Sequence, residues 1–284
     1  MPSYKDAFHR LRQQLSAIYD TGEATAITKE VLLDVTGINY SQGLLQQTAL
    51  GQRIESVIEK MSAELLTGKP LQYVLGYAWF MNRKFRVDEH TLIPRPETEE
   101  LADWIINDHK ADHDPVSILD IGTGSGCIPI TLRLALPHST VSSCDISPGA
   151  LAIAASNASA LGAAVQFIQS DFLEDHAQLG VYNLIVSNPP YIPSGERADM
   201  HTNVKDFEPA TALFVPDHDP QLFYRAIAAF GQTHLATGGS IYCELHKDYA
   251  ADSRDLFVKA GYTVTLRKDI NGHWRMLKAV CNPA

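Results

Sequence analysis

Short apolar or β-branched runs alternate with stretches of helical character from residue 116 to the end of the sequence. The runs occupy residues 116–121, 140–145, 165–169, 182–187, 240–245, 262–267 and 274–280. This alternation is typical of right-handed βαβ units, which place their strands in one parallel sheet. The last two runs lie too close together to enclose a helix, so we expect them to pair antiparallel at the sheet edge. The sequence therefore predicts an α/β domain with about seven strands.

A different periodicity governs residues 1–75, where apolar side chains recur every three or four positions. Phe8, Leu11, Leu15 and Ile18 form one such series, and glycines fall within or at the ends of these segments. The spacing predicts a compact bundle of about four or five short helices. No cluster of catalytic residue types accompanies them, so we expect this region to serve packing or partner binding.

Residues 76–95 join these two regions. Two runs rich in aromatic and basic residues flank Asn82-Arg83, which predicts a β-hairpin with that pair at its turn. The prolines of Pro94-Arg95-Pro96 then stiffen the chain before a helix that should run to about residue 109, and we expect Arg95 to touch a ligand. The expected organisation is a helical domain over 1–75, a hairpin linker over 76–95 and an α/β domain over 96–284.

The composition is that of an ordinary globular protein. Of 284 residues, 45% are hydrophobic and 20% are charged, and the length suits one large and one smaller domain. A formal charge of −10 argues against a partner that is mainly nucleic-acid backbone. Neither the cysteines nor the histidines have metal-site spacing, so no metal is expected and free thiols in a reducing compartment are favoured. Since no signal segment and no apolar run near about 18 residues occur, we expect a cytoplasmic protein without a membrane span.

The tetrapeptide Asn188-Pro189-Pro190-Tyr191 directly follows the run at 182–187. Two prolines cannot donate ladder hydrogen bonds, so the strand must end there, and Pro189 biases Asn188 towards an extended backbone. The Asn188 carboxamide should thus lie at the carboxyl end of a strand, where open α/β sheets bind ligands. Its oxygen and the Pro189 carbonyl are two acceptors that suit a planar NH2 group, and Tyr191 supplies an aromatic wall. For an isolated match, an ordinary turn is the alternative interpretation.

The first strand run is followed by a glycine-rich turn, Gly122-Thr123-Gly124-Ser125-Gly126. Such a turn lets a ligand approach the backbone and the N-terminus of the next helix, although its G-x-G-x-G spacing differs from the dinucleotide fingerprint. Asp145 ends the second run, where a carboxylate can accept both hydroxyls of a ribose. Asp171 and Phe172 follow the third run, where they could hold an adenine. Helix capping by the acids and core packing by Phe172 are the alternatives.

These residues together resemble S-adenosylmethionine-dependent methyltransferases, and more narrowly the protein-glutamine N5-methyltransferases of peptide chain release factors. The resemblance covers nearly the whole chain and implies a Rossmann-like class I methyltransferase domain preceded by a small N-terminal helical bundle. Asn-Pro-Pro-Tyr alone is shared with enzymes that methylate amino groups of DNA and RNA. The marks of the narrower family are residues 80–87, 92–99, 122–126, 145, 186–192, 207–209 and 212–213.

The resemblance also implies roles for individual residues. The glycine turn would hold the methionine end of S-adenosyl-L-methionine, Asp145 its ribose, and Asp171 and Phe172 its adenine, with Asn188 beside it. The segment 188–191 would receive the glutamine of the Gly-Gly-Gln motif in a release factor, the expected protein partner. The sequence departs from the family pattern at 217–220, 244–246 and 269–275, which bears on how the protein substrate docks. Residues 192–219 form a long Pro-, Asp- and His-rich segment, and loops of that length are more often functional.

A glutamine amide nitrogen is a poor nucleophile because its lone pair is delocalised into the carbonyl. Our hypothesis is that Asn188 and the Pro189 carbonyl accept the two amide hydrogens and orient the nitrogen, while Tyr191 packs against the amide plane. One alternative is a DNA or RNA amino-methyltransferase, which would need a basic face for a flipped base. The other is a cofactor-binding partner of a translation factor that performs no catalysis.

Overall fold

The structure is a computed structural model that describes residues 2–45, 49–112, 114–176 and 178–281. It contains two compact units, one of Met1–Tyr77 with His201–Phe207 and one of Ala78–Met200 with Glu208–Ala284. The predicted domain ranges 1–75 and 96–284 include positions that lie outside the described residues, namely 1, 46–48, 113, 177 and 282–284.

The N-terminal unit is helical, as predicted. Its first five helices are α1 Tyr4–Leu15, α2 Thr21–Thr36, α3 Tyr40–Leu45, α4 Gln52–Leu65 and α5 Leu71–Leu75. Ser3 begins α1 with a reciprocal capping box to Asp6. Phe8, Leu11 and Leu15 are buried as expected. Ile18 is 49% exposed, because α1 ends at Leu15 and the helical spacing no longer applies beyond it.

A two-stranded hairpin follows, with β1 at Tyr77–Phe80 and β2 at Arg83–Arg86. Its turn is Met81-Asn82, one residue earlier than predicted, with φ angles of 48° and 60°. Two-residue hairpins of this kind need left-handed residues at both positions, which Asn tolerates well. The rings of Phe80 and Phe85 pack edge to face, with centroids 6.0 Å apart.

The larger unit contains the predicted sheet. Its strands are β3 Val116–Ile121, β4 Ser139–Asp145, β5 Val165–Gln169, β6 Tyr182–Ser187, β7 Ile192–Pro193, β8 Phe214–Val215, β9 Leu235–Glu244, β10 Tyr262–Lys268 and β11 Trp274–Cys281. The helices from residue 96 onward are α6 Pro96–His109, α7 Cys127–Ala135, α8 Pro148–Leu161, α9 Thr202–Phe207, α10 Ala210–Leu213, α11 Leu222–His234 and α12 Ala250–Lys259. Of these, α9 belongs to the N-terminal unit.

The seven long strands form one sheet in the order β10-β11-β9-β6-β3-β4-β5. All neighbouring pairs from β9 to β5 are parallel, whereas β11 pairs antiparallel with both β9 and β10. Strand residues alternate between two buried clusters, since Ile185 packs with α11 and α12 while Leu184 and Val186 pack with α6 and α7. Both faces of the sheet are therefore covered by helices, which explains the nearly continuous apolar runs in the sequence.

Residues 192–219 form several short elements instead of the long loop that the sequence predicted. The 3₁₀ helix Ser194–Asp199, α9 and α10 come between β7 and β8 in the order of the chain, and these two strands pair parallel with each other. Elements of two to six residues are too short to show a hydrophobic period, which is why the pattern did not indicate them.

Candidate active site

The carboxyl ends of β3, β4, β5 and β6 meet at one edge of the sheet, because these strands are parallel and adjacent. A cavity of about 360 Å³ lies there, within the size range of small-molecule sites. Most of the predicted site residues line it, namely Gly122, Thr123, Gly124, Ser125, Asp145, Asp171, Phe172, Asn188, Pro189 and Pro190. The structure thus brings together residues that lie up to 68 positions apart (122 to 190) in the sequence.

Gly126 lies behind the cavity wall, at the N-terminus of α7, with φ = 81°. A Cβ at this position would come within 2.8 Å of Cδ1 of Ile130 and 3.1 Å of Cβ of Ala154. Glycine is required here both for the left-handed backbone and for the close approach of α8. Gly124, also left-handed at φ = 53°, has open space at the position of a Cβ. A ligand can therefore approach the backbone at that point of the loop.

Asp145 holds the glycine loop from the neighbouring strand. Its Oδ2 accepts a hydrogen bond from the Gly124 N–H at 2.9 Å, and its Oδ1 accepts one from the Ser147 N–H at 2.9 Å. Burial raises the pKa of Asp145, while these backbone donors act in the opposite direction. A carboxylate has about four acceptor positions, so both oxygens retain capacity for the two hydroxyls of a ribose.

A buried acid lies beneath the loop. Asp120 in β3 is fully buried and its Oδ2 accepts a hydrogen bond from the Ser143 hydroxyl at 2.6 Å. The Thr123 hydroxyl lies 2.5 Å from that of Ser143 and completes a chain of polar groups. Within the described part of the chain, Oδ1 of Asp120 has no hydrogen-bond partner. Burial raises the pKa of Asp120 to about 7.

Asp171 and Phe172 lie where they could contact an adenine, but each also makes structural contacts within the protein. Both line the cavity, yet Oδ1 of Asp171 also accepts a hydrogen bond from the Leu173 N–H at 3.1 Å, as in a simple turn. The Phe172 ring is 6% exposed and packs edge to face on Phe230, with centroids 5.3 Å apart. Core packing therefore fixes the orientation of the ring, and Phe172 still contributes to the lining of the cavity.

The Asn188 side chain is held by Thr98, a residue within the family segment 92–99 to which the sequence assigned no role of its own. Its Nδ2 donates a hydrogen bond to Oγ1 of Thr98 in α6 at 3.0 Å. Among the described residues, no group donates a hydrogen bond to Oδ1 of Asn188 or to the Pro189 carbonyl. Both acceptors that the sequence predicted are thus available to a ligand in the cavity.

Thr98 belongs to a buried network that ends at a second acid. Its hydroxyl donates to Oε2 of Glu244 at 2.6 Å, and the Tyr191 hydroxyl donates to Oε1 of Glu244 at 3.0 Å. Glu244 is 2% exposed, and burial raises its pKa against the opposing effect of these hydroxyls and of Arg275. Tyr191 is not among the residues that line the cavity. Its ring packs against the core beside it.

Neither Thr98 nor Glu244 was proposed from the sequence as a site residue. Glu244 is the last residue of β9, which pairs with β6, so an acid at the end of a neighbouring strand was the available signal. Thr98 lies in the third position of α6, where the surrounding glutamates suggested only a helix N-terminus. Sequence spacing could not show that a helix 90 residues earlier in the chain contacts Asn188.

Arg95 lines the cavity, at the corner where we expected contact with a ligand. Its Nη2 lies 2.5 Å from Oε1 of Glu208, whose side chain is 1% exposed. Oε2 of Glu208 accepts a hydrogen bond from the Ile93 N–H at 3.1 Å. Because Pro209 and Phe214 also line the cavity, the segment that follows β6 forms part of its wall.

The described residues lack two other kinds of feature. Among them, no group of three or more His, Cys, Asp and Glu side chains is arranged to hold a metal ion. No helix in the described ranges has the length and apolar character needed to cross a membrane. All four cysteines, at positions 127, 144, 243 and 281, are free thiols.

Comparison with known proteins places this geometry in a family. Residues 105–213 match the model of the methyltransferase small domain. The release factor glutamine methyltransferase of Bacteroides thetaiotaomicron is 41% identical over 276 residues, which cover 95% of this chain and 97% of that protein. The enzyme of the same name from Bacillus subtilis is 34% identical over 287 residues, covering 97% and 98% of the two chains.

A solved structure supports the fold. The crystal structure of a methyltransferase from Pyrococcus furiosus matches with a TM-score of 0.53 at 16% identity, covering 79% of this chain and all (100%) of that one. This likeness concerns the arrangement of the sheet and helices alone. The two sequence relatives align with nearly the full length of this chain, and the alignments also cover nearly the full length of each relative. The chain belongs to the release factor glutamine methyltransferase family.

Proposed function

We propose that this protein transfers a methyl group from S-adenosyl-L-methionine to the side-chain amide nitrogen (N5) of the glutamine in the Gly-Gly-Gln motif of peptide chain release factors. The names of its relatives support the reaction class and the substrate. The observation that carries the proposal is the position of Asn188 at the cavity, with its carboxamide oxygen and the Pro189 carbonyl both available as acceptors. Such a pair suits a primary amide, which offers two hydrogens in one plane.

The backbone and the polar side chains that line the cavity fit S-adenosyl-L-methionine. At Gly124 no described atom beyond the chain neighbours lies within 4 Å of the position of a Cβ, so the loop backbone is open to a ligand there. Asp145, which is hydrogen-bonded to this loop, retains acceptor capacity for a ribose. Asp171 and Phe172, on the next strand end, would hold the adenine. When bound, S-adenosyl-L-methionine supplies an electrophilic methyl group on a sulfonium, so the protein does not have to activate the donor.

The remaining task of the protein is to hold a weak nucleophile. Asn188 and the Pro189 carbonyl would accept the two amide hydrogens of the substrate, which fixes the direction of its nitrogen and favours the positive charge that develops there. No side chain has to remove a proton before transfer; the methylated nitrogen would lose one of its two hydrogens as a proton to solvent afterwards, and S-adenosylhomocysteine would be the other product. Tyr191 would support this arrangement from beside the cavity, since its hydroxyl is held by Glu244.

Each region of the chain has a separate role in this proposal. We assign substrate recognition to the helical region 1–75, the linker role to the hairpin region 76–95, and cofactor binding and catalysis to residues 96–284. A cytoplasmic location suits both the four free thiols and a substrate that acts in translation. The formal charge of −10 supports a protein substrate over direct nucleic-acid binding.

Incubation with methyl-labelled S-adenosyl-L-methionine and separate release-factor, DNA and ribosome substrates tests the function. We expect label on the release factor, mapped by mass spectrometry to the Gly-Gly-Gln glutamine, and none on a release factor with that glutamine replaced by alanine. Label on DNA or ribosomal RNA alone would select amino-methylation of bases. Absence of label from every substrate would favour a cofactor-binding partner that performs no catalysis.

A further inference from the structure

Behind the Asn188 carboxamide lies a chain of hydrogen bonds that runs from this partly buried group to a buried carboxylate. Nδ2 of Asn188 lies 3.0 Å from Oγ1 of Thr98, and Oγ1 of Thr98 lies 2.6 Å from Oε2 of Glu244. Thr98 and Glu244 are each 2% exposed. Water therefore has little access to these groups, and their hydrogens must be shared among the protein atoms themselves.

The single hydrogen of the Thr98 hydroxyl determines the orientation of the amide. An ionised carboxylate only accepts hydrogen bonds, so the hydroxyl hydrogen of Thr98 must point to Glu244. The oxygen of Thr98 then faces Asn188 with a lone pair, and only the NH2 group of Asn188 can bond to it. A flipped amide would place two acceptors against each other. The carboxamide oxygen is consequently turned away from Thr98.

Other groups around Glu244 favour its ionised state, in which it only accepts hydrogen bonds. The Tyr191 hydroxyl donates to its second oxygen at 3.0 Å, and the positive charge of Arg275 acts on the carboxylate. Arg275 is itself held by Oδ2 of Asp269 at 3.3 Å and by the Leu245 carbonyl at 3.1 Å. Burial and the charge of Glu97 raise the pKa of Glu244, whereas the two hydroxyl donors and Arg275 lower it and so favour the ionised form.

We propose that Thr98 and Glu244 are positioning residues that orient the Asn188 carboxamide, so that its oxygen and not its NH2 group is presented to the substrate. The inference rests on the proposed function, in which the substrate is a primary amide. It adds a reason for specificity: two acceptors attract the NH2 group of a glutamine but repel the carboxylate of a glutamate in the same motif. Neither residue touches the reacting atoms in this proposal.

The matched variants are Thr98→Val, which keeps the shape and removes the hydroxyl, and Thr98→Ser, which keeps the hydroxyl. Loss of the hydroxyl frees the Asn188 amide to flip. We expect Thr98→Val to lower kcat about tenfold, equivalent to about 1.4 kcal/mol, with the dissociation constant of S-adenosyl-L-methionine unchanged. Thr98→Ser should recover most of that loss. If Thr98→Val does not fold, Thr98→Ala, which leaves a small cavity instead of an apolar contact, should show the same changes.

Substrate discrimination gives a readout that a merely structural role would not move. Binding of a release factor with Gly-Gly-Gln is compared with that of the Gly-Gly-Glu variant by calorimetry, in the presence of S-adenosylhomocysteine. The wild-type protein should prefer the glutamine form, and Thr98→Val should reduce the preference severalfold because a flipped Asn188 offers a donor to the carboxylate. An unchanged preference in Thr98→Val would overturn the proposal.

A double-mutant cycle tests whether Thr98 acts through Asn188. In the Asn188→Ala background, Thr98→Val should cause no further loss of kcat. If the fold-loss of kcat in the double variant equals the product of the losses in the two single variants, Thr98 acts by another route and the assignment is overturned.

A measurement without substrate separates this inference from the proposed function. In protein labelled with ¹⁵N-asparagine, one Asn188 side-chain N–H should exchange slowly with solvent in the wild type and in Thr98→Ser, and at least tenfold faster in Thr98→Val. Equal exchange in all three proteins would contradict the orientation. If the wild type fails to methylate or bind any release factor while this exchange pattern holds, the proposed function is wrong and the hydrogen-bond chain still stands.

Discussion

Oδ2 of Asp145 accepts a hydrogen bond from the backbone N–H of Gly124 at 2.9 Å, which ties the end of β4 to the loop that follows β3. The Asp145→Asn variant cannot accept at both oxygen positions, because its NH2 group must face either Gly124 or Ser147. A hydrogen bond to a charged group contributes about 1.5–3 kcal/mol. We expect the dissociation constant of S-adenosyl-L-methionine to rise at least about tenfold, measured by isothermal titration calorimetry.

The control for this variant is Asp255→Asn. Asp255 forms an exposed ion pair with Arg254, and such pairs contribute little to stability. Its affinity for the cofactor should equal that of the wild type. Unchanged affinity in Asp145→Asn as well would remove Asp145 from the cofactor site.

Replacement of Asn188 by alanine tests the acceptor role of its carboxamide. Removing one preorganised polar group from a catalytic site costs about 10²–10³ in rate, so we expect a loss of kcat of that size with cofactor affinity retained. Single-turnover methylation of a release factor measures the rate, and calorimetry measures the affinity. Asn107→Ala, at an exposed residue of α6, serves as the control, and near-native turnover in Asn188→Ala would defeat the assignment.

Gly126 and Gly162 provide a matched pair for the cost of close packing. Both have left-handed backbones, with φ of 81° and 70°, but only Gly126 has atoms within 4 Å of the position of a Cβ. Gly162→Ala should cost about 1–2 kcal/mol for the backbone alone. Gly126→Ala should cost about 1–3 kcal/mol more because Ala154 and Ile130 must move.

Chemical denaturation monitored by circular dichroism measures both free energies of unfolding. We also expect Gly126→Ala to weaken cofactor binding, since α7 and the loop before it would shift together. Equal stabilities of the two variants would mean that the contact with α8 is easily relaxed.

The raised pKa of Asp120 predicts a dependence of stability on pH. Burial raises this pKa from 3.8 to about 7, so between those pH values the folded protein retains a proton that the unfolded chain releases. This contribution to stability is fully present below pH 3.8 and is lost as the pH rises through about 7. The loss across the window is on the order of 4 kcal/mol.

The Asp120→Asn variant removes the titration while keeping the shape of the side chain. The difference in unfolding free energy, variant minus wild type, should therefore increase from pH 4 to pH 7 and then level off. Urea unfolding at a series of pH values measures this difference, in which the titrations shared by both proteins cancel. A difference that does not change with pH would show that Asp120 titrates at its ordinary value.

Much of the fold follows from patterns that are local in the chain. The runs at 116–121, 165–169 and 182–187 coincide with strands β3, β5 and β6. The central strands β3 and β6 are mostly buried, and strands covered on both faces of a parallel sheet are largely apolar. Proline and glycine also act locally, so the ends of β3 and β6 and the loop between β3 and α7 could be placed. The carboxyl-edge position of Gly122, Asp145 and Asn188 then followed from strand direction alone.

Contacts between distant segments needed the tertiary structure. That Thr98 meets Asn188, that Glu244 meets both Thr98 and Tyr191, and that Glu208 meets Arg95 depends on how helices and the segment after β6 pack on the sheet. No period or spacing in a sequence encodes a hydrogen bond between residues 90 or 146 positions apart. Residue types and strand direction were enough to locate the pocket, whereas the orientation of the Asn188 amide depends on one hydroxyl hydrogen that only packing places.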